Sequence, residues 1–256
     1  MSAPAAAGTA RLAERLEGAR RAVALTGAGI SVPSGIPDFR SPGTGLWHNV
    51  DPMEVAHIEV FRRDPGRFWR FYGDRFAALH DKRPNGAHRA LAELERRGVL
   101  QTVVTQNIDG LHRAAGTRDL IEVHGSIATS SCGRCGTHHE LEDVRVRLAA
   151  APDRVPRCAA GHPLKPDVVL FGELLPEAAI ERASALAAGA DVLLCVGSSL
   201  EVHPVAGLPE LTLTGGGALA IVTKGPTPYD GDAAVRLGGD VVEELEAVVA
   251  ALELRH

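Results

Sequence analysis

The chain of 256 residues is longer than one ordinary domain and shorter than two, which favours a large domain carrying a small insertion. Its 45% hydrophobic residues suffice for a real core, and a net charge of −5, with arginines dispersed among acids, excludes a surface that holds nucleic acid by charge alone. No basic start leads into an apolar run, and the most apolar stretch, 185–196, is broken by Gly189 and Asp191, so neither a signal peptide nor a membrane span is expected and the chain reads as cytoplasmic.

Residues 1–10 are small and read as a tail, and 11–20 carry the spacing of an amphipathic helix. Residues 21–25 form a short apolar strand that runs straight into Thr26-Gly27-Ala28-Gly29-Ile30-Ser31. That order is the one a phosphate-binding turn needs: Gly27 permits the tight turn and Gly29 lets backbone N–H groups approach a pyrophosphate. The third glycine of the dehydrogenase fingerprint is replaced by Val32, with the next glycine at Gly35, so the loop is not a standard dinucleotide loop. A second polar cluster, Gly35-Ile36-Pro37-Asp38-Phe39-Arg40, follows at once.

Three helices are predicted over 51–57, 65–79 and 86–97, with Pro65 where a first-turn proline is tolerated. A second buried strand, 99–104, ends in Thr105-Gln106-Asn107-Ile108-Asp109-Gly110, and a third, 120–123, delivers His124-Gly125. From Ser126 to His162 apolar periodicity fades while Cys, His and Gly accumulate, as in a small module held by metal. Residues 167–171 restart the large domain, 176–188 read as a helix, 192–196 as a strand ending in Gly197-Ser198-Ser199, 218–222 as a strand and 241–252 as a closing helix. Strands alternating with helices predict an α/β, Rossmann-like fold, a mostly parallel sheet covered on both faces, with ligands at the strands' C-terminal ends. The organisation expected is a large domain built from 1–50, 98–125 and 166–256, a helical insertion over 51–97 and a zinc-binding module over 126–165.

Cys132-Gly-Arg-Cys135 has the spacing that puts two thiolates on one turn around tetrahedral zinc, and Cys158 follows after 22 intervening residues. Gly161 occupies the familiar fourth position. His162, one residue on, closes a three-Cys, one-His set; His138, His139 and a degenerate site are the alternatives. Cys195, between Leu194 and Val196, reads as a small core residue.

The ordered set Gly-Ala-Gly-Ile-Ser, Gly-Ile-Pro-Asp-Phe-Arg, Thr-Gln-Asn-Ile-Asp, His-Gly, Cys-x-x-Cys, Val-Val-Leu-Phe-Gly-Glu and Gly-Ser-Ser-Leu resembles the sirtuin family of NAD-dependent protein deacylases, over about residues 21–249. The resemblance implies an enzyme that consumes NAD and removes acyl groups from protein lysines, yielding nicotinamide, free lysine and O-acyl-ADP-ribose. The acyl carbonyl oxygen attacks the ribose carbon as nicotinamide leaves, and His124 then acts as base for the ribose 2′-hydroxyl. It implies that Asn107 and Asp109 hold nicotinamide and ribose and that Gln106 contacts the ribose. Gly27, Ala28, Gly29, Ser31 and Ile108 would line the NAD site, with Asp38, Phe39 and Arg40 on a loop that closes over it. Gly197, Ser198 and Ser199 would meet the adenosine side, and Asp240 and Val241 the adenine. Thr223-Lys224 stands where the family usually supplies Asn to the adenosine ribose. Val168, Val169, Leu170 and Phe171 resemble the edge that takes the substrate peptide as an added strand. By the same resemblance the zinc is structural.

Tyr72 and Arg75, three residues apart on a predicted helix, share a face and match a pair that reads the carboxylate of acidic acyl groups in some sirtuins. Asp38 matches the acetyl-removing branch, so the expected enzyme is a deacetylase that also accepts succinyl or malonyl groups. Two other readings use the same pocket: a mono-ADP-ribosyltransferase and a non-catalytic NAD-sensing module.

Overall fold

The computed structural model describes residues 3–38, 45 and 50–254. In chain order its elements begin with α1 (Ala3–Gly18), β1 (Ala22–Thr26), α2 (Pro52–Val55), α3 (Ile58–Arg63), α4 (Pro65–Leu79), α5 (Gly86–Arg96), β2 (Thr102–Thr105), α6 (Leu111–Ala114) and β3 (Leu120–Glu122). There follow β4 (Gly125–Cys132), β5 (His138–Glu140), α7 (Leu141–Ala150), β6 (Leu164–Val168), α8 (Glu177–Ala188), β7 (Val192–Val196), α9 (Leu208–Thr214), β8 (Ala218–Val222), β9 (Ala233–Leu237) and α10 (Val241–Glu253).

Six strands form a wholly parallel sheet in the order β3-β2-β1-β7-β8-β9, so the chain winds outward in both directions from β1. Every residue of β1 and β7 is buried, as central parallel strands covered by helices on both faces require. The period of two distributes their side chains: Ala22, Ala24, Val192 and Leu194 join α1, α5 and α10 in one core, while Val23, Leu25, Leu193 and Cys195 join α8 and α9 in the other. Cys195 is thus a core residue, its thiol pushed up to about 12 by burial. The strand order reverses between β1 and β7, the place where ligands bind in sheets of this kind.

A second, antiparallel sheet, β5-β4-β6, packs with α2, α3, α4 and α7 around Phe61, Phe68, Trp69, Tyr72 and Phe76. Trp69 Nε1 donates to Leu164 O at 3.0 Å, pinning α4 to the first residue of β6. Helix α5, by contrast, packs on the large sheet beside α10. Its start is secured by a capping box in which Asn85 Oδ1 accepts from Ala87 N and His88 N while His88 Nδ1 accepts from Asn85 N.

Several elements were not in the sequence reading, short α3, α6 and α9 and the strands β4 and β5 among them, and three departures have a clear physical reason. The expected tail at 1–10 is helical from Ala3, because α1 lies close on β9: a Cβ at Gly8 would come within 2.8 Å of Leu237 Cδ2. Small residues that give no amphipathic signal there permit the close approach. Strand β9 was not expected, since Arg236 interrupts its apolar run; the guanidinium donates to Thr223 O and Gly225 O and to Asp230. Helix α7, inside the Cys- and His-rich segment, buries only Val144 and Leu148, too few to mark a period.

Candidate functional site

The turns after β1, β2, β3 and β7 converge at the switch point. Gly27 N–H donates to Val196 O at 3.0 Å and Gly29 N–H to Gly197 O at 2.8 Å, so both amides bind the neighbouring turn and neither remains for a phosphate. The glycines are needed for contact: a Cβ at Gly29 would stand 2.7 Å from Gly197 O, and one at Gly197, where φ is 60°, 2.2 Å from Ile30 N. The strand continues into two 3₁₀ turns, Ala28–Ile30 and Val32–Ser34, instead of a long helix, so the turn has no helix macrodipole behind it.

Asn107 is buried, and its amide nitrogen reaches Gly27 O and Ser31 Oγ, both at 3.1 Å. A carbonyl can only accept, so the atom facing Gly27 is Nδ2, and what the side chain has left to offer a ligand is the acceptor Oδ1. Ser31 Oγ donates to Asp109 Oδ2 at 2.7 Å, and Leu111 N to Asp109 Oδ1 at 2.9 Å, which fixes the carboxylate in rotation. Burial raises the Asp109 pKa against these two bonds. Gln106 Nε2 donates to Ser198 Oγ at 3.0 Å, tying the β2 turn to the β7 turn.

His124 stands at the end of β3 with Nδ1 at 2.9 Å from Gln106 O. The carbonyl accepts, so Nδ1 carries the hydrogen and Nε2 presents its lone pair. Burial lowers the His124 pKa, only partly offset by the Gln106 bond, so the ring is neutral near pH 7. It has the form of a general base.

The remaining sites are more dispersed. Lys224 Nζ pairs with Asp240 Oδ2 at 3.0 Å, and Asp240 Oδ1 caps α10 by accepting from Val242 N, so this lysine and the helix cap form one unit beside Val241. Ser199 and Thr223 are half-buried, and Asp38 ends the described run. Phe39 and Arg40 lie outside the described residues. Along the expected peptide edge, Val168 O accepts from Lys165 Nζ, Val169 N–H donates to His124 O, Leu170 N–H to Glu173 and Phe171 N–H to Ala56 O, while Phe171 O accepts from Ile58 N. Much of that edge is therefore already paired, and Val169 C=O is the acceptor left without a donor among the described residues.

Tyr72 lies inside the aromatic cluster, stacked on Phe76 at 5.1 Å, and burial raises its pKa, with Arg75 opposing. The Arg75 guanidinium sits 4.0 Å over the Phe71 ring and donates to Phe71 O. Tyr72 is buried, whereas Arg75 is exposed and engaged locally.

In the small sheet the thiol sulfurs of Cys132, Cys135 and Cys158 all lie within 4.8 Å of one another. A tetrahedral zinc with bonds of about 2.3 Å needs sulfurs roughly 3.8 Å apart, so the three fit one ion. Hydrogen bonds from Thr137, foremost, and Cys132 bring the Cys135 thiol down to about 6, favouring the thiolate a metal requires. His162 Nδ1 is 3.9 Å from Cys158 Sγ but stands outside the mutually close set. His138 Nδ1 bonds Ser131 Oγ at 2.8 Å and His139 Nδ1 bonds Asp143 at 2.6 Å, so both rings, on β5, have other partners, and the His139 side chain is largely covered.

Sequence reasoning missed the layer beneath the site. Thr26, Thr105, His88 and His112 are all buried there, with His88 Nε2 3.4 Å from Ser31 Oγ and His112 Nε2 2.9 Å from Thr26 Oγ1. Asn85-x-x-His88, a capping-box spacing, was the readable signal for one of them.

Comparison with known proteins points to one family. A model of the Sir2 family matches residues 27–204. The chain is 47% identical over 236 residues to an NAD-dependent protein deacetylase of Caldivirga maquilingensis, covering 91% of this chain and 90% of that protein. It is 46% identical over 219 residues to an NAD-dependent protein deacylase of Thermus thermophilus, 84% of each chain. The solved complex of a Sir2 with a p53 peptide and NAD+ superposes with a TM-score of 0.88 at 39% identity, over 95% of this chain and 98% of that one. A Sir2 bound to acetylated peptide gives 0.85 at 38%, over 94% and 96%.

Proposed function

This chain belongs to the Sir2 family, and from that premise we propose that it is an NAD-consuming protein-lysine deacylase whose residues divide the reaction as follows. The observation that carries the assignment of roles is His124, held by Gln106 O with Nε2 free, on the same sheet edge as Asn107 and Asp109. Acylated lysine proteins are its substrates and NAD its co-substrate. Asn107 Oδ1 accepts from the nicotinamide carboxamide, and Asp109, locked by Ser31 and Leu111, faces the ribose. The acyl oxygen takes the ribose carbon as nicotinamide departs. His124 Nε2 then accepts the 2′-hydroxyl proton as that oxygen attacks the acyl carbon; the carbon–nitrogen bond breaks to release the lysine amine, and a water molecule adds to the resulting cyclic cation to give O-acyl-ADP-ribose. No hydride moves.

The peptide lies along Val168–Phe171, where Val169 C=O is the acceptor for an acyl-lysine N–H. Gly197, Ser198, Ser199, Thr223, Lys224, Asp240 and Val241 take the adenosine end. Zinc, held by Cys132, Cys135 and Cys158 with His162 as the fourth ligand, is structural: it fastens the small sheet and supplies no reacting group. A reducing cytoplasm suits a chain whose four cysteines form no disulfide and of which three cluster as metal ligands. Among the described residues no helix is long and apolar enough to cross a membrane. The relatives reported above are deacetylases and deacylases and lend the mono-ADP-ribosyltransferase alternative no support.

Acyl preference turns on Arg75. Acetyl removal needs nothing from it, whereas an acidic acyl group would draw its guanidinium off Phe71 to pair beside Tyr72. The deciding experiment is mass spectrometry of matched acetyl- and succinyl-lysine peptides, with and without NAD, using the native chain and Arg75→Ala. NAD-dependent loss of both, with succinyl turnover selectively lost in the variant, is expected. An unchanged ratio would assign Arg75 to packing, and no NAD-dependent loss of either would overturn the deacylase reading.

A further inference from the structure

Beneath the nucleotide edge lies a hydrogen-bonded clasp between the ends of β1 and β2. Thr26 Oγ1 donates to Thr105 Oγ1 at 2.8 Å, and Thr105 Oγ1 also accepts the backbone N–H of Asn107 at 3.1 Å. His112, 1% exposed on α6, places Nε2 2.9 Å from Thr26 Oγ1. Because the Thr26 hydrogen is committed to Thr105, its oxygen accepts here, so His112 carries its proton on Nε2. Its Nδ1 is then a bare acceptor, and no described residue donates to it.

That orphan is informative. A buried acceptor without a donor costs stability, and an apolar side chain of similar shape would fill the same space without that cost. What only the imidazole supplies is the Nε2–H aimed at Thr26. The ring is also held from the other side, edge-on to His88 with centroids 4.9 Å apart, and its position two residues before the end of α6 is fixed by the Thr117 N–H bond to its own carbonyl.

We propose that His112 is a positioning residue for the nicotinamide end of the NAD site: through Thr26 and Thr105 it sets the backbone of Asn107 and so the direction of Asn107 Oδ1. The chain of bonds is His112 Nε2–H to Thr26 Oγ1, Thr26 O–H to Thr105 Oγ1, and Asn107 N–H to Thr105 Oγ1. Asn107 is gripped at both ends by this arrangement, at its amide N–H from below and at Nδ2 by Gly27 O and Ser31 Oγ. Loss of the Nε2–H frees the Thr26 hydroxyl to turn, slackens the grip on Thr105, and lets the Asn107 backbone drift while leaving the adenosine end, on β7 and β8, untouched. The inference rests on the NAD-binding reading above and assigns a role to a residue that touches no substrate.

The test compares two ligands that differ only in the nicotinamide. Isothermal titration of NAD and of ADP-ribose is run on the native chain, His112→Phe, His112→Gln and Thr105→Val, with melting temperatures recorded for each. Gln sets an amide N–H near the place of Nε2–H, while Phe keeps volume and loses the donor. The expected result for His112→Phe is about tenfold weaker NAD binding with ADP-ribose affinity within roughly twofold of native. His112→Gln should recover most of the loss, and Thr105→Val should reproduce it without adding to it in the double variant. Equal weakening of both ligands, or native NAD affinity in a merely less stable His112→Phe, would overturn the proposal. Should His112→Phe fail to fold, the same comparison on Thr105→Val and His112→Gln decides. A native chain that bound neither ligand would overturn the NAD reading itself, and this inference with it.

Discussion

Gly29→Ala separates a phosphate cradle from a packing joint. An added Cβ would lie 2.7 Å from Gly197 O, 2.9 Å from Gly197 Cα and 3.0 Å from Gly197 C, all backbone atoms that cannot rotate away. Ordinary contact would require the β1 and β7 turns to part by roughly half an ångström, stretching the Gly29 N–H bond to Gly197 O from its 2.8 Å. Overpacking of this kind costs about 1–3 kcal/mol and the weakened bond about 1 more. For a chain of this length a loss near 3 kcal/mol lowers the melting temperature by roughly 6–12 °C. The same movement displaces Ser198, and with it the Gln106 bond, so KM for NAD should rise while an acyl-peptide KM stays put. Gly18→Ala, where a Cβ meets nothing within 4 Å, is the control and should be neutral. Thermal unfolding and NAD-dependent deacylation kinetics give both readouts. A Gly29→Ala protein that melted with the native chain and kept its KM for NAD would refute the argument that these glycines exist for turn-to-turn contact.

His124→Ala should lower kcat by about 10²–10⁴, and because burial holds the native imidazole below its ordinary value of 6.5, the acid limb of kcat/KM should fall below that pH; a limb above 6.5 would contradict the assignment. The layer beneath the site predicts acid lability: burial, foremost, takes His88 down to about 4 and His112 to about 3. Both are bases with depressed folded values, so their contribution is complete above pH 6.5 and is lost as pH falls toward 4 and 3, by about 1.4 kcal/mol per pH unit for each ring. Urea unfolding at pH 7.5 and 5.5 measures it, and His88→Phe should remove that ring's share of the difference, leaving the shares of His112 and His124. Metal analysis should find one zinc per chain, and chelation should alter tryptophan fluorescence, since Trp69 is bonded to Leu164 of the small sheet, with activity returning on zinc addition. Activity that survived full zinc removal would show that the small sheet stands without it.

The sheet was legible because central parallel strands are almost wholly apolar and end abruptly: 192–196 and 218–222 appear in the structure at the bounds read from the sequence. Elements that rely on small or mixed residues were not. The first turns of helix α1, before the amphipathic stretch that was read as helix, pack through Gly8, whose signal is the absence of bulk, and β9 contains Arg236, whose charge is spent on backbone carbonyls of the adjoining turn. A periodicity argument sees side-chain polarity and has no access to where a guanidinium finds its acceptors.

The candidate site shows the same boundary at the level of single hydrogens. From the sequence, the turn at Gly27 and Gly29 looked open to a pyrophosphate, but geometry gives both of their N–H groups to the end of β7 and its turn. Asn107 looked like a ligand of either polarity, and geometry spends its hydrogens on Gly27 O and Ser31 Oγ and leaves an acceptor. His124 looked like a base, and only the bond from Nδ1 to Gln106 O decides which nitrogen is free to be one. Residue type limits what a group can exchange, and the partners already satisfied determine what remains. Buried His112 lay outside any motif reading for this reason: it contributes one N–H to a threonine, and nothing in its sequence neighbourhood announces which threonine, 86 positions away, receives it.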